Sequence, residues 1–320
     1  MRFPQTLLLI STYSILVYAQ FIVDAHNYLP VFSTTQKFFS QSDPTVPPAD
    51  VNYTHNFGLF AQYTWDDVVQ SLAPNEKLFF LQRHGQGYHN VAPGNFTHDE
   101  WVCYWSLQPG KNGVIWQDAE LTPHGIKQIQ SLSRQINQTV GFPHPQRFYV
   151  SPLRRTLQTW LYTWPNLPHL KPVIKELARE IYGIDTESQR HSKSYISENY
   201  PYFDFEPGFS EKDVAWEPDT RERTQHVDYR AAKLLTEIFD ESNDDEKVIS
   251  VVLHSGIIYS VLNVVGHRRF PMYTGQAIPV IVKKHGKHTT YPLDKAWLDF
   301  EDWCPSEERP LVYAPDGTYF

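Results

Sequence analysis

The chain has 320 residues and is 41% hydrophobic, enough for a substantial core and too much for a disordered polymer. Its formal net charge is −8, so no global basic field draws it to nucleic acid, and any anion site must be a local pocket of positive charge. Cys103 and Cys304 are its only cysteines, too few for a disulfide framework or, by themselves, a four-ligand zinc site; one bridge or two buried thiols both fit.

Residues 1–19 carry a single Arg2, an apolar run from Leu7 to Val17 and a small-residue exit at Ala19. The pattern is that of a secretory signal peptide, and the run is too short for a comfortable membrane span. Secretion is therefore expected, with an uncleaved anchor or a cytoplasmic chain as the alternatives. The sequons at Asn52, Asn95 and Asn137 would be usable only in a secreted chain. From residue 20 to 75 the pattern is irregular, interrupted by Pro44 and Pro47-Pro48, and an arm packed on the main domain is expected. Within it, Thr64 caps a short helix running to Leu72.

The main domain is expected over 76–296. Its first strand, Lys77 to Gln82, ends in Arg83-His84-Gly85-Gln86-Gly87-Tyr88-His89-Asn90, where an apolar run delivers a cation and an imidazole to a glycine-punctuated turn. Glycine lets the backbone approach a ligand, and arginine offers a planar fork suited to phosphate oxygens. An aromatic excursion, 91–117, follows. Thr122 and Pro123 then open a helix with Ile126, Ile129, Leu132 and Ile136 at helical spacing. Phe148 to Val150 is a short strand, and Ser151-Pro152-Leu153-Arg154-Arg155-Thr156 turns from it into a helix, again placing arginine where free backbone donors favour an anion. A strand at Pro172 to Lys175, Glu176 to Gly183 and a polar insertion at 184–220 lead to a helix ending near Phe239. Val248 to Leu253 reads as a fully buried strand ending at His254-Ser255-Gly256, ahead of a helix Ile257 to Val265; a strand Gln276 to Lys283 and a tail, 297–320, close the chain.

Alternating strands and helices predict an α/β fold with a largely parallel sheet. Ligands collect at the carboxyl ends of such strands, and Arg83, His84, Arg155 and His254 all follow predicted strand ends.

These segments resemble the histidine phosphatase superfamily, also called phosphoglycerate mutase-like. Arg83-His84-Gly85 matches its signature, Ser151 to Thr156 looks like the segment of its second arginine, and Val251 to Gly256 looks like that of its second histidine. Phe39 to Pro44, Arg83 to Asn90 and Glu120 to Gly125 are similar to a fungal mutase-like branch. Gly87 and His254-Ser255 depart from the acid phosphatase and phytase branch. The resemblance implies a three-layer sandwich with helices on both faces of the sheet.

By that resemblance His84 attacks phosphorus and becomes a phosphohistidine, Arg83 and Arg155 clamp the phosphoryl oxygens, His254 donates to a third, and Glu180 protonates the leaving oxygen. Arg154 is the alternative to Arg155, because adjacent helical residues point about 100° apart and only one can face the phosphate. Glu176 competes with Glu180. Asn90, Gln86 and Tyr88 are candidate substrate contacts, each equally able to stabilise the turn. His89 suggests a metal pair with His84, but no nearby cluster completes a ligand set, so neither metal nor cofactor is expected. The substrate expected is a small-molecule phosphomonoester, with no nucleic acid and no stable membrane span; oligomeric state is open. A phosphoglycerate mutase and a catalytically weak phospholigand-binding protein are the other readings.

Overall fold

A computed structural model describes residues 27–165, 171–294 and 296–305. The expected signal peptide at 1–19 and residues 306–320 of the tail lie outside them. Among the described residues the principal sheet has seven strands: β1 (Tyr28–Thr34), β2 (Glu76–Arg83), β3 (Arg147–Val150), β4 (Val173–Ile174), β5 (Asp204–Phe205), β6 (Val248–Leu253) and β7 (Ala277–Thr290). Their spatial order is β1-β7-β2-β6-β3-β4-β5. The run from β2 to β5 is parallel, while β7 and β1 pair antiparallel at one edge.

Helices cover both faces, and the strand residues show why. Phe79, Leu81, Ile249, Val251 and Leu253 point to one side, where they pack against α4 (Thr224–Glu241) and α5 (Ser255–Val264). Leu78, Phe80, Val248, Val252 and Val150 point to the other. There they meet α1 (Trp65–Gln70), α2 (Pro123–Gln138) and α3 (Arg154–Thr163). Successive side chains on a strand face opposite ways, so a strand apolar at every position must be covered twice. Each such Leu or Phe contributes about 1.5–3 kcal/mol when fully buried. This is the α/β architecture anticipated, in three layers.

No strand is anticipated between 20 and 75, yet Tyr28–Thr34 forms the edge strand β1 on β7. Its Pro30 and the register shift after it mask the alternation that would mark a strand. The rest of this arm lays Phe38, Phe39, Phe57 and Leu59 against Trp65 and Phe80. Arg268 holds it by donating to the carbonyls of Ser40, Gln41 and Val46. Strand β7 also runs to Thr290, beyond the expected end at Lys283; its last residues are exposed and polar and pair with β1 alone.

The excursion at 91–117 has its own small core of Ala92, Trp105 and Trp116, with Phe96, Trp101 and Tyr104 packed on it. Cys103 in this excursion is bridged to Cys304, 201 residues later, which resolves the open pairing. The insertion after β4 is anchored differently, by buried ion pairs. Fully buried Arg179 meets Glu176 at 2.6 Å and Asp213 at 2.7 Å, and Arg190 meets Glu176 at 2.9 Å.

A cross-link across so long a span restricts the unfolded chain. Replacing Cys103 by Ser should lower the unfolding free energy by about 2–5 kcal/mol, measured by urea denaturation; an unchanged midpoint would show that the aromatic cluster alone holds the excursion.

Candidate active site

The site begins with register. In the parallel pair β2–β6, Arg83 lies opposite Leu253 and the His84 N–H donates to the Leu253 carbonyl at 3.1 Å. Both strands therefore stop at the same height, and the residues that follow, His84 and His254, bring their rings to a centroid distance of 5.0 Å. On the other side of β6 the Ser151 N–H donates to Val252 O at 3.1 Å, which levels the start of α3 with them.

Glycine permits the close packing of the signature turn. A Cβ on Gly85 would lie 2.7 Å from the Gly125 carbonyl, and one on Gly125 would lie 2.1 Å from that of Gln86. The turn thus rests main chain against main chain on the first turn of α2.

His84 is buried, and its Nδ1–H donates to Gly85 O at 2.7 Å. The neutral ring then carries its lone pair on Nε2, the atom free to attack. Burial, with the Arg155 and Arg83 charges beside it, holds its pKa well below the usual histidine range, so the ring stays neutral.

Arg155, not Arg154, reaches into the site, where it contacts His254. Fully buried, Arg155 donates from Nε to His254 Nδ1 at 3.2 Å and from Nη1 to Glu187 O at 2.7 Å, while Nη2 lies 2.5 Å from Glu187 Oε2. Arg154 turns away, with its N–H on Asp118 Oδ1 at 2.8 Å, Nε on Asp118 O at 2.7 Å, and Nη1 3.2 Å from Glu120. Arg83 donates from Nη1 to Met272 O at 2.7 Å, and its buried Nε has no hydrogen-bond partner among the described residues.

His254 is the N-cap residue of α5. With Nδ1 accepting from Arg155, its proton sits on Nε2 and is donated to Ser151 Oγ at 2.8 Å. Donation from His254 to a phosphoryl oxygen therefore requires exchange of the Ser151 contact. Burial, Arg155 and the neighbouring histidines keep this ring neutral as well.

Glu180 lies at the start of the same helix. Its Oε2 accepts from Gly256 N at 3.2 Å and Ser255 Oγ at 3.3 Å, and its Oε1 from Ile181 N at 3.1 Å. A Cβ on Gly256 would fall 2.2 Å from Oε1, so the glycine leaves room for the Glu180 carboxyl group. The loop is fixed by Arg230, which donates to the carbonyls of Leu177 at 2.8 Å, Arg179 at 2.6 Å and Glu180 at 3.1 Å, with Glu222 as its buried counter-ion at 2.7 Å. Glu176, the competitor, is occupied by Arg179 and Arg190. A cavity of about 600 Å³ adjoins Glu180, lined by Ile181, Ser255, Gly256 and Met272 among others.

The remaining candidates make hydrogen bonds within or beside the turn. Gln86 Oε1 accepts from Thr122 Oγ1 at 2.8 Å. Tyr88 opens the short helix Tyr88–Val91, its N–H on Glu120 O at 3.1 Å. Asn90 Oδ1 accepts from Gly87 N at 2.9 Å and its Nδ2 faces His89 Nε2 at 3.0 Å.

Sequence reasoning missed two residues here. His89, set aside as a metal ligand, brings its ring within 5.2 Å of His84; among the described residues no group of three or more His, Cys, Asp or Glu is placed to hold an ion. Its signal was one short helical turn after the signature. Glu187, in the polar insertion, reaches Arg155 across 32 residues, and no local pattern announces it.

A neutral imidazole with two guanidinium groups sits at the carboxyl ends of a parallel sheet in an α/β fold. The chain belongs to the histidine phosphatase superfamily (branch 1), whose model matches residues 105–275. That match starts after Arg83-His84-Gly85, residues that an alignment covering 91% of the chain includes. It is 61% identical over 290 residues to "Phosphomutase-like protein 3" of Candida albicans, spanning 91% of this chain and 92% of the relative. It is 37% identical over 286 residues to a "Probable phosphoglycerate mutase" of Arthroderma benhamiae, spanning 79% and 84%. The solved phosphoglycerate mutase of Bacillus anthracis aligns with 68% of this chain and 92% of its own, at 16% identity and a TM-score of 0.43.

Burial pushes the Glu187 carboxyl up to about 7, against the pull of Arg155 and with help from Glu180 and Asp185. Between the ordinary value of 4.5 and about 7 the folded chain keeps a proton that the unfolded chain has released, so this residue costs stability as pH rises through that window. Glu206 acts in the same direction but is common to both proteins compared. Glu187→Gln, neutral throughout, should lose less stability than the parent between about pH 5 and about pH 7.5 in urea titrations; equal losses would show that Glu187 does not titrate there.

Proposed function

We propose that this protein is a metal-independent phosphatase that hydrolyses phosphomonoesters through a phosphohistidine on His84. The observation that carries the reading is that Arg83, Arg155 and His254, from three different strand ends, gather around a buried neutral His84 whose Nε2 is free. Phosphoryl transfer asks a protein mainly to position groups and neutralise charge on the phosphoryl oxygens. In the first step the Nε2 lone pair forms the N–P bond, the ester P–O bond breaks, and Glu180 gives its proton to the leaving oxygen. In the second, water adds to phosphorus, its proton returns to Glu180, and the N–P bond breaks to release inorganic phosphate. Arg83 and Arg155 hold the equatorial oxygens through both, with His254 exchanging Ser151 for a third. Asn90, Gln86 and Tyr88 shape the turn beneath. The cavity beside Glu180 suits the remainder of the ester.

Phosphoglycerate mutase chemistry differs only in returning the phosphoryl group to a substrate hydroxyl in place of water, and the names of the Candida and Arthroderma relatives favour it. We also propose that the chain enters the secretory pathway. The composition of residues 1–19, a Cys103–Cys304 bridge suited to an oxidising compartment, and exposed sequon asparagines at 52, 95 and 137 support this.

The purified protein should release phosphate from an aryl phosphate and acquire an acid-labile phosphoryl label. His84→Ala should lose both, and Arg155→Met should lower kcat by about 10²–10³. Full turnover in His84→Ala would overturn the mechanism, and transfer to a phosphoglycerate outpacing hydrolysis would favour the mutase. Protein recovered from culture medium should begin at Gln20; an intact Met1 on protein retained in the cytosol would reject secretion.

A further inference from the structure

His89 has no part in the mechanism above, yet its hydrogen bonds determine what it can do. The Gly87 N–H donates to Asn90 Oδ1 at 2.9 Å, which fixes the carboxamide with its NH2 on the other side. That NH2 lies 3.0 Å from His89 Nε2. An amide nitrogen only donates, so Nε2 is the acceptor, and the single proton of the neutral ring sits on Nδ1. A protonated ring would set two donors against each other across this contact. Burial, and then the charge of Arg155, push the same way and keep the ring neutral.

The Nδ1–H so defined is shielded from solvent and has no hydrogen-bond partner among the described residues. A buried donor left unpaired is costly in a folded protein, and one that persists calls for an explanation. The neighbourhood supplies one. The His89 ring is 5.2 Å from that of the nucleophile, and Arg155 and Arg83 both act on it electrostatically. Gly87 lets the ring lie close against the turn: a Cβ there would fall 2.7 Å from Nδ1 and collide with it. His254, by contrast, has both ring nitrogens engaged.

We propose that His89 is a further phosphoryl-binding residue, its Nδ1–H donating to an oxygen of the phosphoryl group held at His84. The inference rests on the reading of His84 as the phosphate-binding centre, but not on turnover. It adds a neutral donor where another cation would raise the cost of burying Arg83 and Arg155 together. It also makes Asn90 a positioning residue that sets the His89 tautomer.

Inorganic phosphate is the probe, and calorimetric binding to the whole protein the measurement, because binding reads the donor even if no ester is turned over. His89→Phe keeps the bulk and removes the donor; it should weaken phosphate binding and lower kcat/KM by about 10²-fold. His89→Asn returns an amide N–H near the Nδ1 position and should recover most of both. In the unmutated protein with ¹⁵N-labelled histidine, the His89 Nδ1 resonance should be that of a protonated nitrogen and should move on adding phosphate. Unchanged phosphate affinity in a folded His89→Phe, a loss that His89→Asn shares in full, or an Nδ1 signal indifferent to phosphate would each overturn the proposal. Should phosphate bind as described while no ester is hydrolysed, the phosphatase reading fails and the role of His89 stands.

Discussion

Everything at the site depends on two parallel strands ending level with each other. Pairing of Arg83 with Leu253, closed by the His84 N–H on the Leu253 carbonyl, places two histidines from residues 170 apart in sequence side by side. A slip of one residue would reverse the facing of every side chain on β2 and take His84 out of the site. The slip is prevented by burial, since β2 and β6 are apolar on both faces and have no polar side to offer solvent. The hydrophobic core thus sets the height of His84.

Around this frame the charges are arranged in two tiers. The inner tier, Arg83 and Arg155 with three neutral imidazoles, carries a local excess of positive charge in a chain whose net charge is −8. The outer tier is balanced: Arg179, Arg190 and Arg230 are matched by Glu176, Asp213 and Glu222. Removing one member of a buried pair leaves the other uncompensated, a change that typically costs about 3–5 kcal/mol. The outer pairs hold the Glu180 loop and the polar insertion in place. Glu187 stands between the two, a partly buried carboxyl group on an inner-tier arginine.

How much of this was legible in the sequence follows from the range over which each signal acts. The fold was legible because β2, β6 and the helices α2 and α4 carry strong local periodicity, and the position of His84 because an apolar run ends at Arg-His-Gly. The family resemblance favours Arg155 over Arg154; the residues alone do not decide, since both lie on the first turn of α3 and only the Asp118 and Glu187 contacts, from elsewhere in the chain, separate them. Glu176 and Glu180 were equally ambiguous until Arg190 and the start of α5 claimed one each. β1 escaped notice because an edge strand paired on one side needs little hydrophobic alternation. The tautomer of His89 depends on how a neighbouring amide is oriented, information that no residue type encodes.

The contact between Gly85 and Gly125 has a further consequence. Where side chains meet, a change on one surface can be absorbed by a matching change on the other, and the spacing drifts as the pair evolves. Here both surfaces are peptide groups, which every residue shares and no substitution can trim. The gap between the signature turn and α2 is therefore a fixed gauge, indifferent to whatever replaces the outward residues of that helix. A methyl group added at either position would find nothing able to retreat.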